Sequence, residues 1–506
     1  MRIGFVHLGR ENLGIEYLSS VAKQHGHEVA LYYDPGIFGQ NDNVFYVPRL
    51  ERAFDRKAWL IKKIVDEQPD ILCFSVYTTT FAWALEVAQE LRARLDCPIV
   101  FGGIHVTLAP EIILQHPQID FALAGEGESV FPEMLEAIAG ERTFSSVQNL
   151  IYREKGVAIQ NELRDPIIDL DSLPLPDKAL FEKDVNFKDD YLVMTNRGCP
   201  FSCAYCCESA INRIYNNRFF RRRSVGSVIN ELEVMLDRYH YREVMFNDSI
   251  FFTHKDWLFE LLEQYRTRIR RPFRCFGQVK YLSDEIAEVL MRSGCYAIEF
   301  GVQTMNETLR KNILNRTESN EDNAKAFAIC DHHKIHYDID HIFGLPTEQK
   351  QDYFFATRFY AKLKYLNRIK CHFLLFFPST PLFATGQKMG LLSKQDVANI
   401  YAGNIGDFFH DGRFAKESHR ELAEHFTNLL KILPLLRTSW VEKILDKGWY
   451  KKIGKIPKPI TIGLQVINAF KGRDYRFFVY IKYYVKRIRR SWPALQYNRK
   501  NKRRTR

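Results

Sequence analysis

From Arg2 to about residue 140, short apolar runs alternate with stretches whose apolar residues recur at helical spacing. RIGFVHL, HEVALYY, DILCFSV, PIVFGG and DFALAG read as strands. RAFDRKAWLIKKIVDE and AWALEVAQELRARL read as amphipathic helices between them. This alternation predicts an α/β unit, a doubly wound Rossmann-like parallel sheet, with ligands beyond the C-terminal strand ends. The segments Gly9–Gly14, Ser75–Thr80, Gly102–Thr107 and Gly125–Ser129 then surround one crevice.

NLIYREKGVAIQNEL follows as a hairpin with Lys155-Gly156 at its turn, and Asp165–Asp177, with Pro166, Pro174 and Pro176, as an extended linker. From about Tyr191 a second strand–helix series begins, with strands YLVMTNRG, EVMFND, FRCFGQVK, AIEFGVQ, YDIDHIFGLP and CHFLLFFP. Six such units predict a partial (β/α)6 barrel with its chemistry at the C-terminal strand ends. The remainder is mainly helical in pattern. The expected division is a front domain over 1–145, hairpin and linker over 146–184, a barrel over 185–390, and a helical C-terminal region with a basic tail over 391–506.

No run of eighteen uncharged apolar residues occurs, and MRIGFVHLG enters a strand pattern without the layout of a signal peptide, so a cytoplasmic protein is expected. The net charge of +11 is concentrated after Lys451, where Asp474 is the single acid, leaving the body net acidic. Of ten cysteines, Cys73, Cys97, Cys275, Cys295, Cys330 and Cys371 are scattered, mostly in apolar stretches, and read as buried thiols. Cys199, Cys203, Cys206 and Cys207 crowd together and point to a metal centre.

Cys199-Pro-Phe-Ser-Cys203-Ala-Tyr-Cys206 directly follows the first barrel strand. Three thiolates on one loop can hold three irons of a four-iron cluster and leave the fourth open, whereas electron-transfer clusters use four cysteines. Zinc, with Cys207 as a fourth ligand, is the alternative.

This CxxxCxxC motif, with an aromatic before its last cysteine, resembles the radical S-adenosylmethionine superfamily. The resemblance implies that S-adenosylmethionine chelates the open iron and is cleaved to a 5′-deoxyadenosyl radical, with Tyr205 beside the adenine. Later strand ends resemble the family in order. Phe246-Asn247-Asp248 is similar to the segment contacting the methionine amino group, although it lacks that motif's glycines. Glu299-Phe300-Gly301-Val302-Gln303-Thr304 is similar to the ribose and carboxylate segment, with Glu299 and Gln303 as its contacts. Gly344-Leu345-Pro346-Thr347-Glu348 resembles the turn near adenine, and Phe377-Pro378-Ser379-Thr380-Pro381-Leu382 the sixth strand end.

The front part resembles the cobalamin-binding (B12-binding) domain that precedes one large branch of this superfamily, the branch of anaerobic tetrapyrrole cyclases and hopanoid-type methylases. The matching pieces contain Leu13 and Gly14, Gly102 and Gly103 with His105, and Glu126, Gly127 and Glu128. Glycines there let backbone approach a large ligand. Ser75, Thr78, Thr79, Glu126 and Glu128 are candidates to hydrogen-bond its nucleotide tail, with helix capping an equal reading for Glu128. An Asp-x-His-x-x-Gly motif is missing, and His7 has Phe5 two residues before it. His105 is expected to pack or hydrogen-bond rather than ligate cobalt.

The expected cofactors are thus a [4Fe-4S] cluster, S-adenosylmethionine and cobalamin. The expected activity is methylation of an unactivated carbon in a small hydrophobic, lipid- or isoprenoid-like substrate. A reductant such as flavodoxin or ferredoxin is the expected partner. A radical ring-forming cyclase acting on a tetrapyrrole-like substrate and a non-enzymatic metal-bearing membrane or RNA adaptor are the alternatives. The segment Tyr475–Arg490 mixes aromatic and basic residues, and Phe477, Phe478, Ile481, Tyr484, Val485 and Ile488 can share a helical face. Such a helix can lie on an anionic membrane, or pack on the protein; nucleic acid is not the expected partner.

Overall fold

The computed structural model describes residues 1–39, 45–406, 414, 417–471, 474 and 476–504. The front sheet contains β1 (Arg2–Leu8), β2 (Glu28–Asp34), β3 (Ile71–Ser75), β4 (Ile99–Gly102), β5 (Phe121–Leu123), β6 (Leu150–Glu154) and β7 (Val157–Gln160), in the order β2-β1-β3-β4-β5-β6-β7. β1 to β5 are parallel, and the hairpin β6–β7 adds antiparallel to the β5 edge. The hairpin therefore extends the front sheet and is not part of the linker. The expected helix over RAFDRKAWLIKKIVDE is two, Pro48–Phe54 and Lys57–Glu67. It breaks where the Arg56 amide donates to Asp34 and Asp55 caps the Lys57 amide.

The second sheet is the parallel series β8 (Asp190–Val193), β11 (Glu243–Phe246), β12 (Phe273–Gly277), β13 (Cys295–Gln303), β14 (His336–Phe343) and β15 (Leu366–Phe373), in the order β15-β14-β13-β12-β11-β8. Between β8 and β11 the short pair β9 (Asn196–Arg197) and β10 (Arg221–Arg222) flanks the cysteine loop. The sixth strand lies earlier than CHFLLFFP suggests. Its polar positions Arg368, Lys370 and His372 break the apolar run, while Leu374, Leu375 and Phe376 already belong to a separate apolar cluster.

Alternate residues on these strands point to opposite faces. Tyr191, Val193, Val244, Phe246, Phe273, Cys275, Phe300, Ile339 and Phe343 are buried in the core shared with the surrounding helices. The opposite parity lines the barrel interior. Leu192, Met245 and Phe276 stand on one side, and Glu299, Asp340, Lys370 and His372 on the other.

The C-terminal region is helical, as expected. Arg476 donates to Asp338 at 2.7 Å and pairs with Asp474, closing the end of the barrel where β14 begins. The helix Arg476–Arg490 packs on the protein. Lys482 reaches Asp189, Lys486 donates to the Val185 carbonyl, and Arg487 donates to the Tyr33 hydroxyl at 2.6 Å. Tyr484 is buried against Phe38, while Ile481 and Val485 are exposed. Tyr475 and the side chains of Phe477 and Phe478 lie outside the described residues. Among the described residues no helix is long and apolar enough to cross a membrane.

Candidate active site

The cysteine loop leaves the barrel through a fixed backbone. Gly198 has φ +83°, and a Cβ there would collide with the Phe219 carbonyl. Ser209 Oγ donates to the carbonyls of Cys203 and Cys206 at 2.7 and 2.8 Å, and the Ala204 amide donates to Leu314. Cys206 caps the helix Cys207–Ile214, whose N-terminal dipole favours a thiolate. Burial acts the other way, pushing the Cys199 thiol up to about 11.

All three thiols are free and half-buried, and their sulfurs do not all lie within 4.8 Å of one another. Three thiolates on one loop leave the fourth iron of a four-iron cluster open, whereas a structural zinc site would need a fourth ligand. Cys207 packs beside Leu108, Ala210, Ile211 and Tyr215. That apolar setting does not support its use as a fourth ligand.

One residue that the sequence reading missed sits at this loop. Arg316 Nη1 lies 3.8 Å from Cys203 Sγ and donates to the Tyr205 hydroxyl at 3.2 Å. Its Nη2 donates to the Gly301 carbonyl at 2.6 Å, and its Nε to Glu318. Arg316 thereby joins the cysteine loop to the end of β13. No local pattern marks it in ILNRTES; its meaning arises only from the barrel bringing residues 203, 205 and 301 together.

Tyr205, Gly301 and Gln303 therefore converge. Gln303 has φ +67°, and a Cβ on Gly301 would stand 2.6 Å from the Gln303 side-chain nitrogen. Glu299 is paired with Lys370, and Asp340 with His372 at 3.3 Å, on the polar interior wall. Gly344 has φ +80°, and its amide donates to Glu348 at 2.8 Å, closing the turn after β14.

Asp248 was expected beside the methionine amino group; its carboxylate is instead spent on the protein. It accepts from the Thr195 amide at 2.6 Å, the Asn196 amide at 2.9 Å and the Thr195 hydroxyl at 2.8 Å. Burial holds its pKa up at about 6. These bonds turn the carboxylate back onto the segment that follows β8.

In the front domain the open rim consists of Gly9, with φ +119° and nothing within 4 Å of a Cβ position, exposed Gly14, and half-buried Leu13, Ser75, Thr79 and Gly102. This small-residue rim at the strand ends fits close approach by a bulky ligand. Thr78 and His105 face inward. His105 Nδ1 lies 3.1 Å from Thr78 Oγ1, and its Nε2 3.1 Å from the Tyr401 carbonyl, while burial lowers its pKa to about 4. Both ring nitrogens of His105, a candidate at the cofactor rim, are thus engaged within the protein. Gly103 packs against Val76, so it tightens β3 on β4 and does not open the rim. His7 is buried and stacked on Tyr33.

Glu126 and Glu128 were expected at the nucleotide tail and take arginines instead. Arg197 donates to Glu126 at 2.9 Å and to Glu128 at 2.5 Å, and Arg221 donates to Glu126 at 2.7 Å. Burial pushes the Glu126 carboxyl up, but Arg221 and Arg197 outweigh it and hold it below the usual range. A pair of unpaired buried carboxylates would be costly, which is the physical reason the arginines claim them. Gly127, between them, lies against Leu18.

A B12 binding domain model matches residues 10–135, and a radical SAM superfamily model matches residues 193–356. An uncharacterized methyltransferase of Pyrococcus horikoshii is 26% identical over 359 residues, 69% of this chain and 73% of that protein. An anaerobic magnesium-protoporphyrin IX monomethyl ester cyclase of Rubrivivax gelatinosus is 25% identical over 309 residues, 57% of this chain and 53% of that protein. Among solved structures, the cobalamin-dependent S-adenosylmethionine radical enzyme OxsB with aqua-cobalamin and S-adenosylmethionine bound superimposes with a TM-score of 0.64 at 16% identity, over 94% of this chain and 75% of that one. The radical S-adenosylmethionine methyltransferase TsrM of Kitasatospora setae, with cobalamin and a [4Fe-4S] cluster bound, gives a TM-score of 0.62 at 18% identity, over 77% and 78% of the two chains. With the two family models in chain order on the two sheets and the three thiols at the barrel mouth, the chain belongs to the cobalamin-binding radical S-adenosylmethionine family, as an enzyme whose cofactors are a [4Fe-4S] cluster, S-adenosylmethionine and cobalamin.

Proposed function

We propose that this enzyme transfers a methyl group to an unactivated carbon of a hydrophobic small molecule that also carries a polar end. The observation that carries the reading is the divided barrel interior. Leu192, Met245 and Phe276 offer an apolar wall to a hydrocarbon body, and Glu299, Asp340, Lys370 and His372 face it with hydrogen-bonding groups.

Cys199, Cys203 and Cys206 would hold three irons of the cluster. Arg316, whose nitrogens are held by Tyr205, Gly301 and Glu318, would bring its positive charge beside Cys203 toward the carboxylate of S-adenosylmethionine, and Tyr205 and Gln303 flank the same space. Gly9, Leu13, Gly14, Ser75, Thr79 and Gly102 would border the corrinoid, with the arginine bridge to Glu126 and Glu128 setting the front domain over the barrel mouth. When bound, the three cofactors together would relay an electron and supply a hydrogen-abstracting radical and a transferable methyl group. The apolar wall excludes water that would otherwise compete for reactive species. A low-potential protein such as a flavodoxin or ferredoxin would supply the electron.

The test is anaerobic purification with iron, sulfide and corrinoid quantification, then turnover with methyl-deuterated S-adenosylmethionine and a chemical reductant. About four irons and one corrinoid, with 5′-deoxyadenosine and S-adenosylhomocysteine both released, support methyl transfer. 5′-Deoxyadenosine without S-adenosylhomocysteine would favour ring formation. Zinc in place of iron would sink the reading.

A further inference from the structure

From Lys447 to Lys471 the chain carries six lysines and no acidic residue. Within this stretch the helix Lys458–Lys471 is apolar on more than one side: Ile462, Leu464 and Val466 are half-buried, and a second apolar line faces outward. Its buried positions are Thr461, Asn468 and Ala469, with Asn468 Nδ2 donating to the Asn367 carbonyl. Its outer face holds Ile460 and Ile467, 54% and 56% exposed. Seven residues span almost two turns, so these two side chains fall on one line. Gly463 lies beside that line with nothing within 4 Å of a Cβ position. Phe470, also solvent-exposed, continues the face toward the C-terminal end. Lys451, Lys452, Lys455 and Lys458 stand exposed before the helix and at its start, and Lys471 at its end.

With Ile462, Leu464 and Val466 already turned toward the protein, Ile460, Ile467 and Phe470 form an additional exposed apolar strip that the fold itself does not use. In the next helix Lys482, Lys486 and Arg487 are held within the fold, whereas the exposed lysines here frame the apolar line, Lys458 also lying over the Tyr46 ring and Lys471 near the Pro434 carbonyl. We propose that the face of helix Lys458–Lys471 docks in the plane of an anionic lipid bilayer, isoleucines at the headgroup–acyl boundary and lysines on the phosphates. Six cations without one acid select an anionic surface over a neutral apolar partner. The surface is independent of the radical chemistry, and its loss would leave that chemistry intact.

The experiment is flotation of the full-length holoenzyme with vesicles of phosphatidylcholine alone or with about one-third phosphatidylglycerol, at low and at 0.5 M salt. The expected result is capture by anionic vesicles only, weakened by salt. Lys452→Gln and Lys455→Gln should each weaken it about fivefold, the equivalent of roughly 1 kcal/mol per cation near the surface. Ile460→Glu with Ile467→Glu should abolish it while 5′-deoxyadenosine formation in solution stays unchanged. These side chains are exposed, so the fold does not depend on them. No capture by anionic vesicles, or equal capture of the double glutamate variant, overturns the proposal. So does a helix face found covered by an acidic protein or by a second copy of the chain.

Discussion

Arg197 stands two residues before Cys199 and is held by Glu126 and Glu128 of the front domain, at 2.9 and 2.5 Å. The strand that launches the cysteine loop and the loop after β5 are thus one electrostatic unit. Arg221, on the strand paired with it, holds Glu126 from the other side. The loop after β5 of the front domain and the cysteine loop are therefore positioned by the same buried charges.

Replacing Arg197 with Met should cost about 3 to 5 kcal/mol, because two buried carboxylates lose a partner. Glu126 keeps Arg221, so the loss should sit toward the lower end. Urea unfolding of the anaerobic protein measures this. A second readout separates positioning from stability: the ratio of 5′-deoxyadenosine to methylated product should rise as the two domains lose register. A ratio equal to that of the parent would show that the bridge serves stability alone.

Cys199→Ala, Cys203→Ala and Cys206→Ala should each lose most bound iron after anaerobic reconstitution. Cys207→Ala should keep about four irons, since a site-differentiated cluster uses three thiolates and Cys207 packs beside Leu108 and Tyr215. Iron and sulfide analysis decides it. Loss of iron in the Cys207 variant would restore that residue to the ligand set.

The order of strands and the cysteine loop were legible because periodicity and spacing are local properties. The polar uses of Asp248, Glu126 and Glu128 were not legible, because each depends on a partner far along the chain: Thr195, Arg197 and Arg221. A sequence shows that a carboxylate is present, not which arginine reaches it. Arg316 escaped notice for the same reason. The basic tail misled in a different way: charge summed over a segment does not reveal that Lys482, Lys486 and Arg487 are consumed by buried or backbone partners.

Arg316→Met, combined with Glu318→Gln to avoid an orphaned buried carboxylate, should retain the cluster and weaken S-adenosylmethionine binding. A charge-assisted hydrogen bond is worth about 1.5 to 3 kcal/mol, so the loss should be roughly tenfold to a hundredfold. Isothermal titration with the reconstituted enzyme measures it, and iron content provides the control. Unchanged affinity at full iron would assign Arg316 to bracing β13 against the cysteine loop.

Glu348 makes the protein's stability depend on pH in an unusual direction. Its carboxyl is buried, accepts from the Gly344 amide and the Tyr353 hydroxyl, and is pushed up to about 7 chiefly by desolvation. In the unfolded chain it would titrate near 4.5. Between these values the folded state binds more protons than the unfolded one, so the slope of stability against pH is negative. The favourable contribution is fully present below about 4.5 and declines as pH rises through about 7, by up to about 3 kcal/mol. Glu348→Gln keeps an acceptor for the Gly344 amide but has nothing to ionise. Urea midpoints of the parent and the variant should therefore lie close together at pH 5 and diverge by pH 8, with the variant the more stable. A constant difference across that range would mean that the carboxyl is already ionised in the folded state at pH 5, and that the turn after β14 is better hydrated than its burial implies.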